Sequence, residues 1–389
     1  MRITIQPEGW AIIDQTVKMS LGMGINTVSI ACPRSVDESS VLIEMIEAAE
    51  GVDVLSHEFI YGPPEGREDL YERLVGREVN FRLESGLTTS GKLLWSNPVT
   101  LQTPEGVLVA PKGDLLMREE DPDEILRTQP HLELIVQSTF PSDIICRISY
   151  AAFGFRWSST QVCLLSESDQ AVDFHCWLGL SNHSGMSFRN AEVSVVADSA
   201  GPQQISYRLG QKLDLWRDGS NLRVNLISAE GCGSSVLMTV PPRKEELWQT
   251  VVVPNSESNG LGLPFPPSDF VLLMRKPDGS TNYLSHGEIP AMYPNAMLHY
   301  DFARMLNTVM VSRTQSDTGT VTLGLQSLVD GPIQVFAREE LRGNEIILNA
   351  SKPPTVNGPT SLVFPMYLMP RSRDGVNYYL RSEDTPPPA

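Results

Sequence analysis

The sequence predicts a mostly β protein: antiparallel β-sandwich domains, an inserted small β-barrel and few short helices. Three observations carry this. The first is a strict two-residue rhythm. Val172, Phe174, Cys176, Leu178 and Leu180 fall on one face, and Asp173, His175, Trp177, Gly179 and Ser181 on the other. That period belongs to a strand with one buried face. The second is recurrent turn chemistry between short apolar runs, at Asn182–Gly185, Asp218-Gly219, Asp278-Gly279, Asp330-Gly331 and Asp374-Gly375. The third is that strand patterns follow one another without alternating helices, which points to sandwiches or barrels rather than α/β layers.

In chain order, Ala11–Val17 reads as a strand, Leu21–Gly24 as a turn and Asn26–Ile30 as the returning strand. Val41, Ile43 and Met45 alternate, so Ser39–Ala49 reads as a strand that turns at Glu50-Gly51 into Val52–Leu55, a hairpin. Pro63-Pro64-Glu65-Gly66 marks a boundary. Glu68–Leu74 follows as a short helix with Leu70 and Leu74 one turn apart, stopped by Gly76. Short strands follow at Val79–Leu83, Thr88–Trp95, Val99–Thr103 and Val107–Val109, about five in roughly fifty residues, with Gly91 inside one of them, where a small barrel bends sharply.

Leu74-Val75-Gly76-Arg77-Glu78-Val79, Gly86 and Gly91-Lys92-Leu93 resemble the Sm-like and SH3-like small barrels, most closely the Sm-like layout of a helix followed by "hGxxVxhxhxxGxxxxGxL". RNA-binding members carry an acidic residue and an asparagine in the next turn. This chain has Trp95-Ser96-Asn97-Pro98 there, without that pairing, so the resemblance implies a protein-interaction or structural barrel.

Arg118–Glu124 is acidic. It lacks the central glycine of a calcium loop and reads as a solvated linker into a short helical turn. From His131 onward the chain is β-rich. Val172–Leu180 and Ala191–Ala197 read as the two arms of a hairpin. Asp218-Gly219 and Asp278-Gly279 read as hairpin turns joining the apolar runs beside them. Later strands are expected at Thr320–Leu325, Ile333–Phe336, Leu362–Leu368 and Asn377–Leu380. The expected parts are an N-terminal strand region (1–64), the small barrel with its helix (65–118), sandwich domains (119–383) and a Pro-rich tail (384–389).

Length and charge set the function classes. A chain of 389 residues is long for a single core. A formal charge of −17 repels phosphate backbones and disfavours nucleic acid as a partner. Five cysteines, an odd count without a CxxC pair, argue against a disulfide scaffold, and Cys176 on the apolar face of its strand reads as a small core residue. MRITIQPEGW has no apolar leader core, and no run reaches membrane-spanning length. The expectation is a cytoplasmic protein, or an envelope or extracellular one if a leader precedes this sequence.

Three further stretches resemble the mucoidy-inhibitor-A-like bacterial family. Phe153–Ser159 is similar to that family's "GlxWxaxY" strand, without its tyrosine. Leu180–Gly185 with Phe188, Asn190 and Ala191 is similar to its "hxNxSGxdWxNA" turn. Leu328–Phe336 is similar to its "LPxGxhxVY" hairpin. The resemblance implies a β-sandwich with a scaffold or envelope-associated role. It brings no established chemistry.

The residues themselves supply little chemistry. Gly22-Met23-Gly24 and Gly260-Leu261-Gly262 lack the strand-to-helix setting of a phosphate loop, and no GxSxG elbow occurs. Ser184 beside His183 is explained by the turn. The sharpest constellation is Asp173, His175 and Trp177 on one face of one strand, about 7 Å apart in sequence order. A carboxylate near a histidine orients it for acid–base work or for a metal, yet nothing in the spacing fixes further ligands among His183, His286 and His299. An exposed strand face with cross-strand contacts explains the same residues. Trp10, Trp95, Trp216 and Trp248 sit at turns or strand ends, where aromatics anchor a partner, stack on a sugar or plug a sandwich. Asp173, His175, Trp177 and Trp95 are therefore the candidate binding residues, with no catalytic residue, metal or cofactor assigned.

The reading is a non-catalytic structural or interaction protein that pairs with itself or another protein. A carbohydrate-binding module or hydrolase with its site between sandwich and barrel is the first alternative. Nucleic-acid binding through the small barrel is the second.

Overall fold

The computed structural model describes residues 1–47, 50–60, 62, 66–116, 130–166, 171–198, 204–317, 319–342, 345–357 and 360–382. Among them lie 29 strands, one α-helix and two short 3-10 helices, so the chain is mostly β. No described helix is long and apolar enough to cross a membrane. The acidic stretch around Arg118–Glu124 and the Pro-rich tail fall outside the described residues.

The chain forms two compact units. The first holds Ala11–Gly154 and His183–Phe188, and the second holds Ile3–Trp10, Phe155–Asn182 and Arg189–Ala389. The first unit thus takes in residues 131–154, which the sequence reading grouped with the C-terminal sandwich. Pairing is the reason. His131–Ser138 lies between Gly24–Ala31 and Val52–Ile60, and Ser142–Phe153 pairs with Leu42–Glu47.

In this unit Trp10–Leu21, Ser142–Phe153 and Leu42–Glu47 lie side by side, and Gly24–Ala31, His131–Ser138 and Val52–Ile60 form a separate sheet. The chain steps from one set to the other after Leu21, after Glu47 and after Ser138. Two expected hairpins are corrected by this order. Trp10–Leu21 does not pair with Gly24–Ala31, nor Leu42–Glu47 with Val52–Ile60. The turns are where the sequence places them, but they cross between layers.

The small sheet is inserted at one point of this unit. Ile60 and His131 are cross-strand partners, so the chain leaves and returns at the same place. In between, helix Arg67–Leu74 precedes five antiparallel strands: Glu78–Leu83, Thr88–Ser96, Val99–Thr103, Gly106–Val109 and Gly113–Leu116. Tyr71 and Leu74 of the helix pack with Val79, Phe81, Leu93 and Leu101 in a common core. Gly91 lies where a Cβ would sit 2.5 Å from the Gln102 carbonyl oxygen. The close approach, rather than backbone freedom, requires glycine there.

The second unit holds a five-stranded sheet in the order Leu222–Gly233, Ala171–Asn182, Phe155–Ser166, Ser268–Arg275, Thr281–Ile289. Ala171–Asn182 alternates without a break between half-buried and buried positions, and Val172, Phe174 and Cys176 are fully buried. They share a core with Val251, Val253, Phe265, Leu298 and Tyr300. The Phe174 and Phe265 rings lie 5.2 Å apart, as do those of Phe270 and Tyr300. A second core gathers Val321, Leu323, Val335, Phe364, Met366 and Tyr378 between two further sheets. Two pairings are parallel, Phe155–Ser166 with Ser268–Arg275 and Ser235–Val240 with Ile333–Glu340, in otherwise antiparallel sheets.

The expected hairpin of Val172–Leu180 with Ala191–Ala197 is also corrected. Ala171–Asn182 pairs with Phe155–Ser166 and Leu222–Gly233, whereas Phe188–Ala197 lies next to Ile205–Leu215 in another sheet. Asp218-Gly219 and Asp330-Gly331 likewise carry the chain between sheets. Asp278-Gly279 does make the expected hairpin, with Ser268–Arg275 pairing Thr281–Ile289 and Asp278 accepting the Ser280 N–H at 2.8 Å.

Charges are buried in pairs. Arg338 donates to both oxygens of Asp301 at 2.6 Å, and Thr250 donates to the same carboxylate. Glu339, 1% exposed, accepts from Arg313 at 2.6 Å and from the Tyr378 hydroxyl. Burial first, and then the charge of Arg338, push the His299 imidazole down to about 3.

Replacing Gly91 with alanine is expected to destabilise the first unit by about 1–3 kcal/mol, because the backbone must shift to admit the methyl. Calorimetry reads this as an earlier transition, and an unchanged one defeats the close-approach argument. His299 gives a second expectation. Its folded value lies below the unfolded value of about 6.5, so its contribution is complete above that pH and is lost as pH falls toward about 3. Urea unfolding at pH 7.5 and pH 5 should show the weaker protein at pH 5. His299→Gln should shrink the difference, and a variant with the wild-type pH dependence refutes the assignment.

Candidate functional site

The small sheet has an exposed apolar edge. Its order is Gly113–Leu116, Glu78–Leu83, Thr88–Ser96, Val99–Thr103, Gly106–Val109, so the last two strands in sequence are the two edges. Val109 and Gly113 are joined by only three intervening residues, a reach of at most about 14 Å. In a flat sheet of five strands the edges stand about 19 Å apart. The sheet therefore curls, but its two edge strands do not pair with one another.

The edge Gly106–Val109 reads Gly-Val-Leu-Val and carries no charge. Its Val107 is 56% exposed and its Val109 64%. Thr100 lies opposite Val109 on one side and opposite Trp95 on the other, so Trp95, 64% exposed, stands two strands from Val109. The opposite edge is charged. Asp114 lies 3.4 Å from Arg67, which also donates to the Gly113 carbonyl and to the Tyr71 hydroxyl.

The three other sequence-predicted residues lie on the outer face of the five-stranded sheet in the second unit, on one face as the alternation requires. They do not act on one another. Asp173 accepts the Gly231 N–H at 3.0 Å and pairs with Arg275 at 3.3 Å. His175 Nδ1 shares a 2.9 Å hydrogen bond with Ser228 Oγ, which also accepts from Asn225 at 2.6 Å. The Arg223 guanidinium lies 5.8 Å from the centre of the Trp177 ring. His286 stands in the same cross-strand row as His175, beyond Val162 and Val271. Three strand spacings, about 14 Å, separate the two backbones, whereas two ligands of one ion lie within about 4 Å. Among the described residues no group of three or more His, Cys, Asp or Glu is placed to hold a metal ion.

The neighbouring row holds a pairing that the sequence does not reveal. Thr160 lies opposite Trp177 and Asp269, and Asp269 lies opposite Glu288. Like charges directly opposed cost stability. Both carboxylates line a cleft of about 630 Å³ together with Trp157, Ser158, Asp198 and Glu340. The Trp157 indole N–H is buried without an acceptor, and burial raises the Glu340 carboxyl above its usual range against the pull of Arg338 and Arg243. Strand order alone brings these residues together, as it makes Val107 and Val109 an edge. For the valines, an uncharged strand followed at once by turn residues is the available sequence signal.

The Asp173–Arg275 pair is half exposed, so Asp173→Asn should cost less than about 1 kcal/mol. Urea denaturation measures it, and a much larger loss would show that this carboxylate holds more than a surface contact. Compared with known protein families the chain matches none, and no curated protein matches it.

Proposed function

We propose that this chain is a non-catalytic interaction protein that assembles with copies of itself through the edge Gly106–Val109. The observation that carries the reading is an uncharged edge strand whose two valines are both more than half exposed. An edge strand presents unpaired N–H and C=O groups to any second strand, and soluble proteins usually guard such an edge with lysine, proline or a bulge. None of these lies within the four residues here. Trp95 and Val109 add apolar area beside the backbone ladder, which favours association over solvent exposure. The helix followed by a curled five-stranded sheet supports the Sm-like barrel reading of residues 65–118 as a module for protein contact. The likeness to the mucoidy-inhibitor-A-like family supports a scaffold or envelope-associated setting.

Light scattering over the micromolar range tests the proposal. The mass should rise with concentration, and Val107→Lys with Val109→Lys should hold the protein at the mass of one chain. A wild-type protein that stays a strict monomer, or a double variant that still assembles, rejects it.

A second reading, a hydrolase, draws on one observation: the opposed Asp269 and Glu288 beside Trp157 in the cleft. Paired carboxylates near an aromatic side chain are the elements of glycoside hydrolysis. Turnover of a p-nitrophenyl glycoside series that Asp269→Asn abolishes would favour it, and no turnover across the series removes it.

A further inference from the structure

A smaller depression in the second unit, of about 480 Å³, lies where Ile205–Leu215 gives way to Leu222–Gly233. It is lined by Trp216, Gln211, Lys212, Asp214, Ser220 and Asn221 above a leucine floor. We propose that it binds a neutral pyranose ring, of a free or chain-linked sugar.

The aromatic platform is held in place. The Arg189 guanidinium lies 5.2 Å from the centre of the Trp216 ring, and the residue is still 45% exposed. One ring face is thus steadied by a cation while indole surface remains open to solvent. An indole fixed in this way offers an apolar plane to the C–H face of a sugar at little cost in ordering.

The loop carrying it is clamped from below. Asn182, almost fully buried, donates from its amide to the Leu215 carbonyl at 3.1 Å and accepts the Gly219 N–H on its own carbonyl at 3.2 Å. Asp218 accepts the Ser220 N–H at 2.9 Å. Asp214 accepts the Asn190 N–H at 2.8 Å through one oxygen, leaving the other to a ligand.

The amide beside the platform is also placed. A Cβ on Gly179 would lie 2.8 Å from the Asn221 oxygen, so the glycine leaves the room that this side chain uses. Amides and carboxylates in such positions bridge adjacent hydroxyls, because each presents a planar pair of hydrogen-bonding atoms. Lys212 and Asp214 are the charged lining residues, and their charges cancel. A balanced lining around an aromatic plane selects a neutral, hydroxyl-rich ring over an anion or a cation. This site is separate from the edge strand and shares no residue with it.

The test uses the full chain and titrates maltohexaose, cellohexaose, laminarihexaose, xylohexaose and chitohexaose against tryptophan fluorescence and calorimetry. At least one should bind with a Kd below about 1 mM. Trp216→Ala should weaken that binding by roughly tenfold or more, and Tyr367→Ala, an exposed aromatic that does not line the depression, should leave it unchanged. Asn221→Ala, an exposed change that tolerates the fold, should weaken it several-fold and serves if Trp216→Ala fails to fold. No binding of any probe at about 10 mM, or binding that survives both Trp216→Ala and Asn221→Ala, overturns the assignment. Neither outcome bears on self-assembly, which light scattering reads independently.

Discussion

Most of the long strands described here have one apolar face, and one apolar face must find another to cover it. That requirement governs where each turn sends the chain. In a hairpin, the apolar faces of the two arms point the same way and still need a partner layer. When the turn instead carries the chain into a second sheet, those faces can oppose one another and cover can be mutual. The chain uses the crossing solution after Leu21, Glu47 and Ser138, and again between Ala171–Asn182 and Phe188–Ala197. Burial on this scale, at roughly 25 cal/mol per Å² of apolar surface, outweighs any preference of a single turn for local pairing.

Several buried charges inside the second unit are met by partners of opposite charge. Arg338 with Asp301, and Glu339 with Arg313 and Tyr378, replace part of the water they lose with short, charge-assisted hydrogen bonds, while Arg338 Nε and Glu339 Oε1 are buried without one. A buried charge without its partner costs several kcal/mol, so these pairs tie together strands that are not neighbours: Asp301 and Arg338 lie three strands apart in one sheet, and Glu339 reaches Arg313 and Tyr378 in another. His299 belongs to the same setting: the nearby guanidinium and the loss of water both favour its neutral form.

The small inserted sheet differs in how its surface is finished. Its helix and strands share an apolar core, yet its last two strands end as edges, one charged and one bare. The outer face of the large sheet is finished with local partners instead. Asp173, His175 and Trp177 each have a neighbour of their own, which favours a solvated face over a reactive group. The exception is the opposed pair Asp269 and Glu288, a local cost of the kind that marks a surface with a use.

The sequence by itself determined the class of fold, the strand faces and most turn positions. A period of two is written in consecutive residues, so Val172, Phe174 and Cys176 could be assigned to a core before any neighbour was known. Their outward companions Asp173, His175 and Trp177 were legible for the same reason, and so was the short helix Arg67–Leu74, because its signals are local. Only the tertiary structure decided which strand pairs with which, and with it the edge at Val107 and Val109, the cleft at Asp269 and Glu288, and the clamp beneath Trp216. The physical reason is that turn residues encode a reversal of direction but not the sheet that receives the next strand. That choice depends on apolar faces and buried charges far away in the chain, which meet only when the whole core closes.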